Sequence, residues 1–253
     1  MKVLLSDVDG TLYFSNREND KISISDIEAI KRFQEKGHLF GVCTGRSYAG
    51  VMSALANYPI ILDFMILSSG SIIIVDKNVK IKETLLSLDI VKSVYRLLNL
   101  KKCGISITSN KGFYFSDYLD YTFSGAQMFE NINELKEPYY TDISIESSDI
   151  EELERVKKIL IDELNHDIEV NRNNQSLDIS PKNCNKEIAT LELKEHYKIT
   201  NENIFVIGDS FNDIPMFRAT KNSYTFNCSA ELVKNSATHL VDSLAECINQ
   251  ILK

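Results

Sequence analysis

The chain has 253 residues, of which 43% are hydrophobic and 25% charged, a balance that suits one large or two modest globular domains. A formal net charge of −8 excludes a basic nucleic-acid footprint, and any anionic ligand would need positive charge supplied locally. The most apolar stretch, residues 60–75, is interrupted by Asp63 and by Ser68-Ser69-Gly70-Ser71, so two short strands fit it better than a membrane span; no leader-peptide pattern precedes it.

In chain order, Lys2-Val3-Leu4-Leu5-Ser6 reads as a buried strand that runs into Asp7-Val8-Asp9-Gly10-Thr11. On an extended backbone residues two apart share a side, so Asp7 and Asp9 are expected to lie together and to need a proton or a cation between them. A polar loop over 16–21 follows. Ser25-Asp26-Ile27-Glu28 has the pattern of a capping box, with Ile27, Ile30 and Phe33 on one helical face and Gly37 as the stop. Residues 38–43 form a second buried strand ending in Thr44-Gly45-Arg46, and Ser47 caps a helix to about Asn57. Phe64 to Leu67 is a third strand. Strand, helix, strand, helix, strand is the pattern of a parallel α/β sheet.

The pattern then changes. Residues 71–75 and 79–85 flank Asp76-Lys77-Asn78 as a hairpin, and a helix spans 88–100. A second hairpin turns at Asn110-Lys111, 139–146 alternates as a strand, and 149–165 is an amphipathic helix with Ile150, Leu153, Val156, Leu160 and Leu164 in one stripe. Two further strands cover 167–171 and 176–179. From Asn185 the first pattern returns, with a helix over 186–197 and a buried strand at 203–207 that ends in Gly208-Asp209-Ser210-Phe211-Asn212-Asp213. A short helix, a strand at 223–226, a helix from Ala230, a strand at 238–241 and a terminal helix complete the chain. The reading is a Rossmann-like α/β core made of residues 1–82 and 183–253, with an α+β domain, 83–182, inserted between its halves.

Three core strands thus end in polar clusters. Side by side, they would gather four carboxylates at one sheet edge, where ligand sites of open α/β sheets lie. That many carboxylates demand a counter-cation, and oxygen donors without His or Cys select Mg²⁺. Gly41 to Ser47 is one residue short of a P-loop and has Arg46 in place of the lysine, so that reading is rejected. Lys186 taken alone reads as an ordinary solvated lysine. The histidines, four and scattered, do not suit a zinc site, and the five cysteines show no paired spacing and read as reduced thiols of a cytoplasmic protein.

Taken together, Asp7-Val8-Asp9-Gly10-Thr11, Thr44-Gly45-Arg46, Lys186 and Gly208-Asp209 to Asp213 resemble, in order, the four motifs of the haloacid dehalogenase superfamily of phosphotransferases. The insertion before Lys186, and Leu177-Asp178-Ile179-Ser180-Pro181 within it, are similar to the type IIB cap of Cof-type phosphatases. The resemblance implies that Asp7 is a nucleophile forming an aspartyl-phosphate and that Asp9 is the general acid and then the general base. It implies that Asp7, Asp209 and the backbone carbonyl of Asp9 hold Mg²⁺, with Asp213 orienting that shell. Thr44, Gly45, Lys186 and Asn212 would hold the phosphoryl oxygens. The implied substrate is a small phosphorylated metabolite of the sugar-phosphate class, and the implied enzyme is a cytoplasmic monomer or weak homo-oligomer, without nucleic-acid or membrane partners. A phosphomutase and a non-catalytic phosphate or metal sensor are the alternatives. Asp9 favours phosphate-ester chemistry over P-type ATPases, which carry Thr there, and over dehalogenases, which lack the acid. Departures from the family pattern are Ser69-Gly70 for Asn-Gly, Glu187 for the Gly after the lysine, and Cys228-Ser229-Ala230 for Gly-Asn-Ala. Within the inserted segment, Arg172, Asn173 and Asn174 are candidate substrate contacts.

Overall fold

The computed structural model describes all residues except 17–20, 77, 100, 110, 121–124 and 174. Parts of the expected loop at 16–21, both hairpin tips at Lys77 and Asn110, Leu100 and Asn174 therefore lie outside the described residues; the helix expected over 88–100 ends at Leu97, because Leu98 is already extended. The chain divides into two compact units, Met1–Lys82 with Lys186–Lys253, and Glu83–Asn185.

The first unit begins β1 (Val3–Ser6), α1 (Ile24–Glu35), β2 (Leu39–Cys43), α2 (Tyr48–Leu55), β3 (Phe64–Leu67), β4 (Ile72–Val75) and β5 (Val79–Glu83). α1 starts two residues earlier than its expected capping box. Ser23, not Ser25, is the N-cap: it accepts from the Asp26 amide and donates to the Asp26 carboxylate, which is buried and also accepts from Ala245 N, so this serine is the one anchored to the core. Gly37 stops the helix in a left-handed conformation, φ +78°. Ser47 caps α2 as expected, accepting from Gly50 N.

The second unit contains β6 (Leu86–Ser87), α3 (Leu88–Leu97), β7 (Gly104–Thr108), β8 (Phe113–Ser116), β9 (Ala126–Phe129), β10 (Tyr139–Tyr140), β11 (Asp142–Glu146), α4 (Ile150–Leu164), β12 (Ile168–Asn173) and β13 (Ser176–Pro181). Its main sheet has the order β12-β13-β11-β7-β8-β9 and is antiparallel except for the β8–β9 pair. Its strands and α4 differ from the sequence reading in three ways. The strand expected over 139–146 is two strands, since β10 leaves the main sheet to pair with β6. β9 has no alternating apolar pattern, and two of its four residues are exposed, which hid it. In α4, Ile150 is 45% exposed, because it is the first residue of the helix and precedes the turns that meet the sheet. Leu153, Val156 and Leu160 bury against Ile105, Ile107, Ile143, Ile145, Leu177 and Ile179, alternate residues of β7, β11 and β13.

The chain then returns to the first unit with α5 (Lys186–His196), β14 (Ile204–Ile207), α6 (Ile214–Arg218), β15 (Ser223–Phe226), α7 (Glu231–Lys234), β16 (His239–Val241) and α8 (Leu244–Ile251). Its sheet has the order β16-β15-β14-β1-β2-β3-β4-β5, parallel from β16 to β3, with β4 antiparallel to β3. Consecutive residues of the central strands serve opposite faces. Leu4, Phe205 and Ile207 join the side chains of α1, α2 and α8, while Val3, Leu5, Ile204 and Val206 join those of α5, α6 and α7. A sheet buried on both faces explains why β1 and β14 read as unbroken apolar runs. This is the α/β core expected from the sequence. Its parallel neighbours β14, β1 and β2 bring the carboxyl ends of three strands to one edge.

Candidate active site

Asp7 follows β1, Thr44 follows β2 and Asp209 follows β14 by one residue, so the strand order gathers them. Asp7 is buried, and its Oδ1 accepts from Lys186 Nζ at 2.7 Å. The same ammonium donates to Asp213 Oδ1 at 2.6 Å. Lys186 is 2% exposed at the start of α5, so the solvated-lysine reading fails: the residue opens its helix inside the protein, between two carboxylates. Burial opposes its charge, and Asp213 and Asp7 more than offset that, holding its pKa well above the ordinary value.

Asp213 is fully buried. Its Oδ2 accepts from the Asp209 and Ser210 amides, both at 3.0 Å, and its Oδ1 takes the lysine. The single-turn 3-10 helix Phe211–Asp213 supplies this geometry through a capping box with Ser210. A side chain with both oxygens engaged in this way braces the loop that carries Asp209. Asp209 Oδ1 accepts from Thr11 Oγ1 at 2.8 Å. Two glycines permit the close approach. A Cβ on Gly10, whose φ is +84°, would sit 2.5 Å from Asp209 Oδ2, and one on Gly208 would strike the Asp213 side chain.

Carboxylate oxygens of Asp7, Asp209 and Asp213 all lie within 4.8 Å of one another. Burial first, and the neighbouring carboxylates second, raise Asp7 well above the usual range and push Asp209 up to about 6. One lysine does not neutralise three acids, and an all-oxygen donor set of this kind fits a hard divalent cation such as Mg²⁺.

Asp9 departs from the expectation that it lies beside Asp7. β1 ends at Ser6, and Leu12 N and Tyr13 N turn back onto Val8 O, so the extended alternation stops before Asp9. Its side chain is half exposed and outside the acidic group, and it is held instead by Arg46: Nε to Oδ2 at 2.7 Å and Nη2 to Oδ1 at 2.6 Å. No sequence signal paired these two residues, which are 37 apart.

Thr44 is buried, its amide donates to Ile66 O and its hydroxyl accepts from the Arg46 amide. Gly45 lies between them in the turn after β2. Ser68 N and Ser69 N donate to Arg46 O and Thr44 O, both at 3.0 Å, so the turn after β3 clasps the turn after β2. Ser69 has φ +54°, a left-handed conformation in which Asn is favoured, so the Asn-Gly that the family resemblance led us to expect would suit this turn. The Asn212 side chain accepts from Ser210 Oγ at 2.6 Å. In the second unit, Arg172 is ion-paired with Glu154, and Asn173 Nδ2 donates to Asp178.

The profile of the haloacid dehalogenase-like hydrolase family matches residues 4–248. The chain belongs to the haloacid dehalogenase-like hydrolases. A Bacillus subtilis haloacid dehalogenase-like hydrolase of known structure superposes with a TM-score of 0.85 at 19% identity, over 100% of this chain and 99% of that one. A subclass IIB sugar phosphatase superposes with a TM-score of 0.78 at 21% identity, over 97% of this chain and 95% of that one. In sequence, a 5-amino-6-(5-phospho-D-ribitylamino)uracil phosphatase of Bacillus subtilis is 28% identical over 97% of this chain and 92% of its own length. Within the haloacid dehalogenase-like frame, the site residues named from the sequence fall into two groups. Asp7 and Asp213 converge on the Lys186 ammonium with the Asp209 carboxylate close to both, whereas Asp9 joins the Thr44–Arg46 turn.

Proposed function

We propose that this haloacid dehalogenase-like hydrolase is a Mg²⁺-dependent phosphatase acting on small phosphorylated metabolites of the sugar-phosphate class through an aspartyl-phosphate. The observation that carries the reading is Asp7: a buried carboxylate at a strand end, oriented by Lys186 and grouped with Asp209. Asp7, Asp209 and the Asp9 carbonyl would hold the cation, which when bound offsets the charge of the acids and of the phosphoryl group.

In the first step an Asp7 oxygen forms a bond to phosphorus as the ester oxygen leaves, and Asp9 gives that oxygen its proton. In the second step Asp9 takes a proton from water, the water oxygen bonds to phosphorus, and the bond to Asp7 breaks. Thr44, the Gly45 amide, Asn212 and Lys186 hold the phosphoryl oxygens and stabilise their developing charge. Asp213 fixes both Lys186 and the Asp209 backbone, which keeps this frame rigid. The inserted unit acts as a Cof-type, IIB-like cap that selects the substrate, and the likeness to a subclass IIB sugar phosphatase supports that role. The phosphoribityl substrate in the name of the Bacillus subtilis relative is itself a polyol phosphate, which supports the substrate class. Five free cysteines suit a reducing, cytoplasmic setting.

The test is phosphate release from an aryl phosphate and from a panel of sugar phosphates, with Mg²⁺ or with chelator. Native protein turns over only with Mg²⁺, and Asp7→Asn loses activity by about a thousandfold or more. Equal rates for the two proteins would exclude the mechanism, and recovery of an isomerised sugar phosphate in place of free phosphate would point to a mutase.

A further inference from the structure

The turn after β2 holds an arginine whose position is defined from several sides. The Arg46 guanidinium grips both oxygens of Asp9, at 2.6 and 2.7 Å, in parallel N–H···O bonds. Its third nitrogen donates to Gly50 O at 3.1 Å, in the first turn of α2. Its Cζ lies 5.3 Å from the ring centroid of Tyr13, and Tyr13 is bridged through its backbone to Asp9. Its own amide donates to Thr44 Oγ1, and its carbonyl accepts from Ser68. Most surface ion pairs contribute little because both side chains must be ordered for the contact to form. Here the arginine is already ordered by Gly50, Tyr13 and its own backbone, and the two-pronged geometry sets the direction of the carboxylate as well as its distance.

We propose that Arg46 is a positioning residue for Asp9, a clamp set on the same turn that presents Thr44 and Gly45: both its bonds hold the ionised carboxylate, and when Asp9 carries the proton on one oxygen the other keeps its bond to the guanidinium. This rests on the reading of Asp9 as the general acid and base. Its consequence is that the acid is aligned from a neighbouring strand end, and not by the backbone of its own turn alone. Misplacing a catalytic group by about 1 Å costs on the order of a hundredfold in rate. Lysine at this position keeps the charge but offers no planar pair of donors, so it would not restore the alignment.

The test separates proton delivery from general damage by varying the leaving group. An alkyl phosphate needs its leaving oxygen protonated, whereas an aryl phosphate with an acidic phenol needs this far less. For Arg46→Lys and Arg46→Met, kcat/KM on the alkyl phosphate falls by about 10- to 100-fold. On the aryl phosphate it falls by less than about threefold, and KM for both substrates stays close to that of the native protein. Asp9→Asn shows the same selectivity more strongly, by about 10²- to 10⁴-fold on the alkyl phosphate. The Asp9→Asn/Arg46→Lys double variant is no slower than Asp9→Asn alone. The Arg46 side chain is 28% exposed, so neither replacement empties the core, and unchanged thermal unfolding checks this. Equal losses on both substrates, a raised KM at unchanged kcat, or additive losses in the double variant would overturn the clamp. Should Asp9→Asn slow the alkyl phosphate while Arg46→Lys does not, the clamp alone falls. Should Asp9→Asn have no effect, the proton-carrier reading falls and takes the clamp with it.

Discussion

At the scale of single residues, the site is organised around one buried ammonium. Lys186 is surrounded by Asp7 and Asp213, and removing it leaves two buried carboxylates facing each other without a counter-charge. Breaking a buried pair from one side costs about 3–5 kcal/mol. Lys186→Met is therefore expected to lower the unfolding free energy by that amount in urea titrations without Mg²⁺. Lys31, exposed and loosely paired with Glu35 at 3.9 Å, is the comparison: Lys31→Met should change stability by less than about 0.5 kcal/mol. Equal effects of the two substitutions would mean that the lysine is not the hub of the site. At this scale the sequence was informative about residue identity and blind to contact. Asp7, Thr44 and Asp209 stand out by their places at strand ends, whereas Lys186 was singled out only by the family resemblance. The pairing of Arg46 with Asp9, the support of Asp209 by Thr11, and the double role of Asp213 depend on distances that no local pattern encodes.

At the scale of elements, boundaries followed local chemistry wherever one signal acted alone. α2 begins at its Ser47 cap, α4 lies between Asp149 and Asn165, and β3 occupies its apolar run. The start of α1 was misplaced because two serines compete there, and only the formed turn shows which one reaches an amide. The consequence is measurable. Ser23→Ala should cost about 1 kcal/mol in unfolding free energy, and Ser25→Ala less than about 0.5 kcal/mol. The opposite ranking would return the cap to Ser25. β9 and the β10–β6 pair were missed because short, half-exposed strands carry no period strong enough to register. They are specified by their neighbours in the sheet, a tertiary effect.

At the scale of the molecule, the charge of the acidic group links stability to pH and to the cation. Asp209, pushed up to about 6 by burial and by Asp213, holds its proton more tightly folded than unfolded. The folded, metal-free protein then binds more protons than the unfolded chain between about pH 4 and 6, so this contribution to stability is full below that window and is lost as pH rises through it. The metal-free protein should show this decline in thermal unfolding relative to Asp209→Asn, which lacks the group. With Mg²⁺ held by Asp7 and Asp209 as proposed, protons and the cation would compete for the same oxygens, so stabilisation by Mg²⁺ should be larger at pH 8 than at pH 5, reaching about 2.7 kcal/mol at a hundredfold its dissociation constant. A Mg²⁺ effect independent of pH would show that the cation does not bind through Asp209.

The sequence by itself determined the alternation of buried strands and helices, the interruption by a segment of different pattern, and the acids and threonine that follow the core strands. Periodicity and capping are local, and a chain of residues states them directly. Only the tertiary structure decided which of those groups meet. The order β14-β1-β2 sets three strand ends side by side. The turn after β1 sends Asp9 to Arg46 while Asp7 stays with Lys186, and Gly10 and Gly208 leave room for Asp209 and Asp213 to close the site. These are contacts between residues far apart in the chain, fixed by sheet register and close packing, and so they exist only once the sheet has formed.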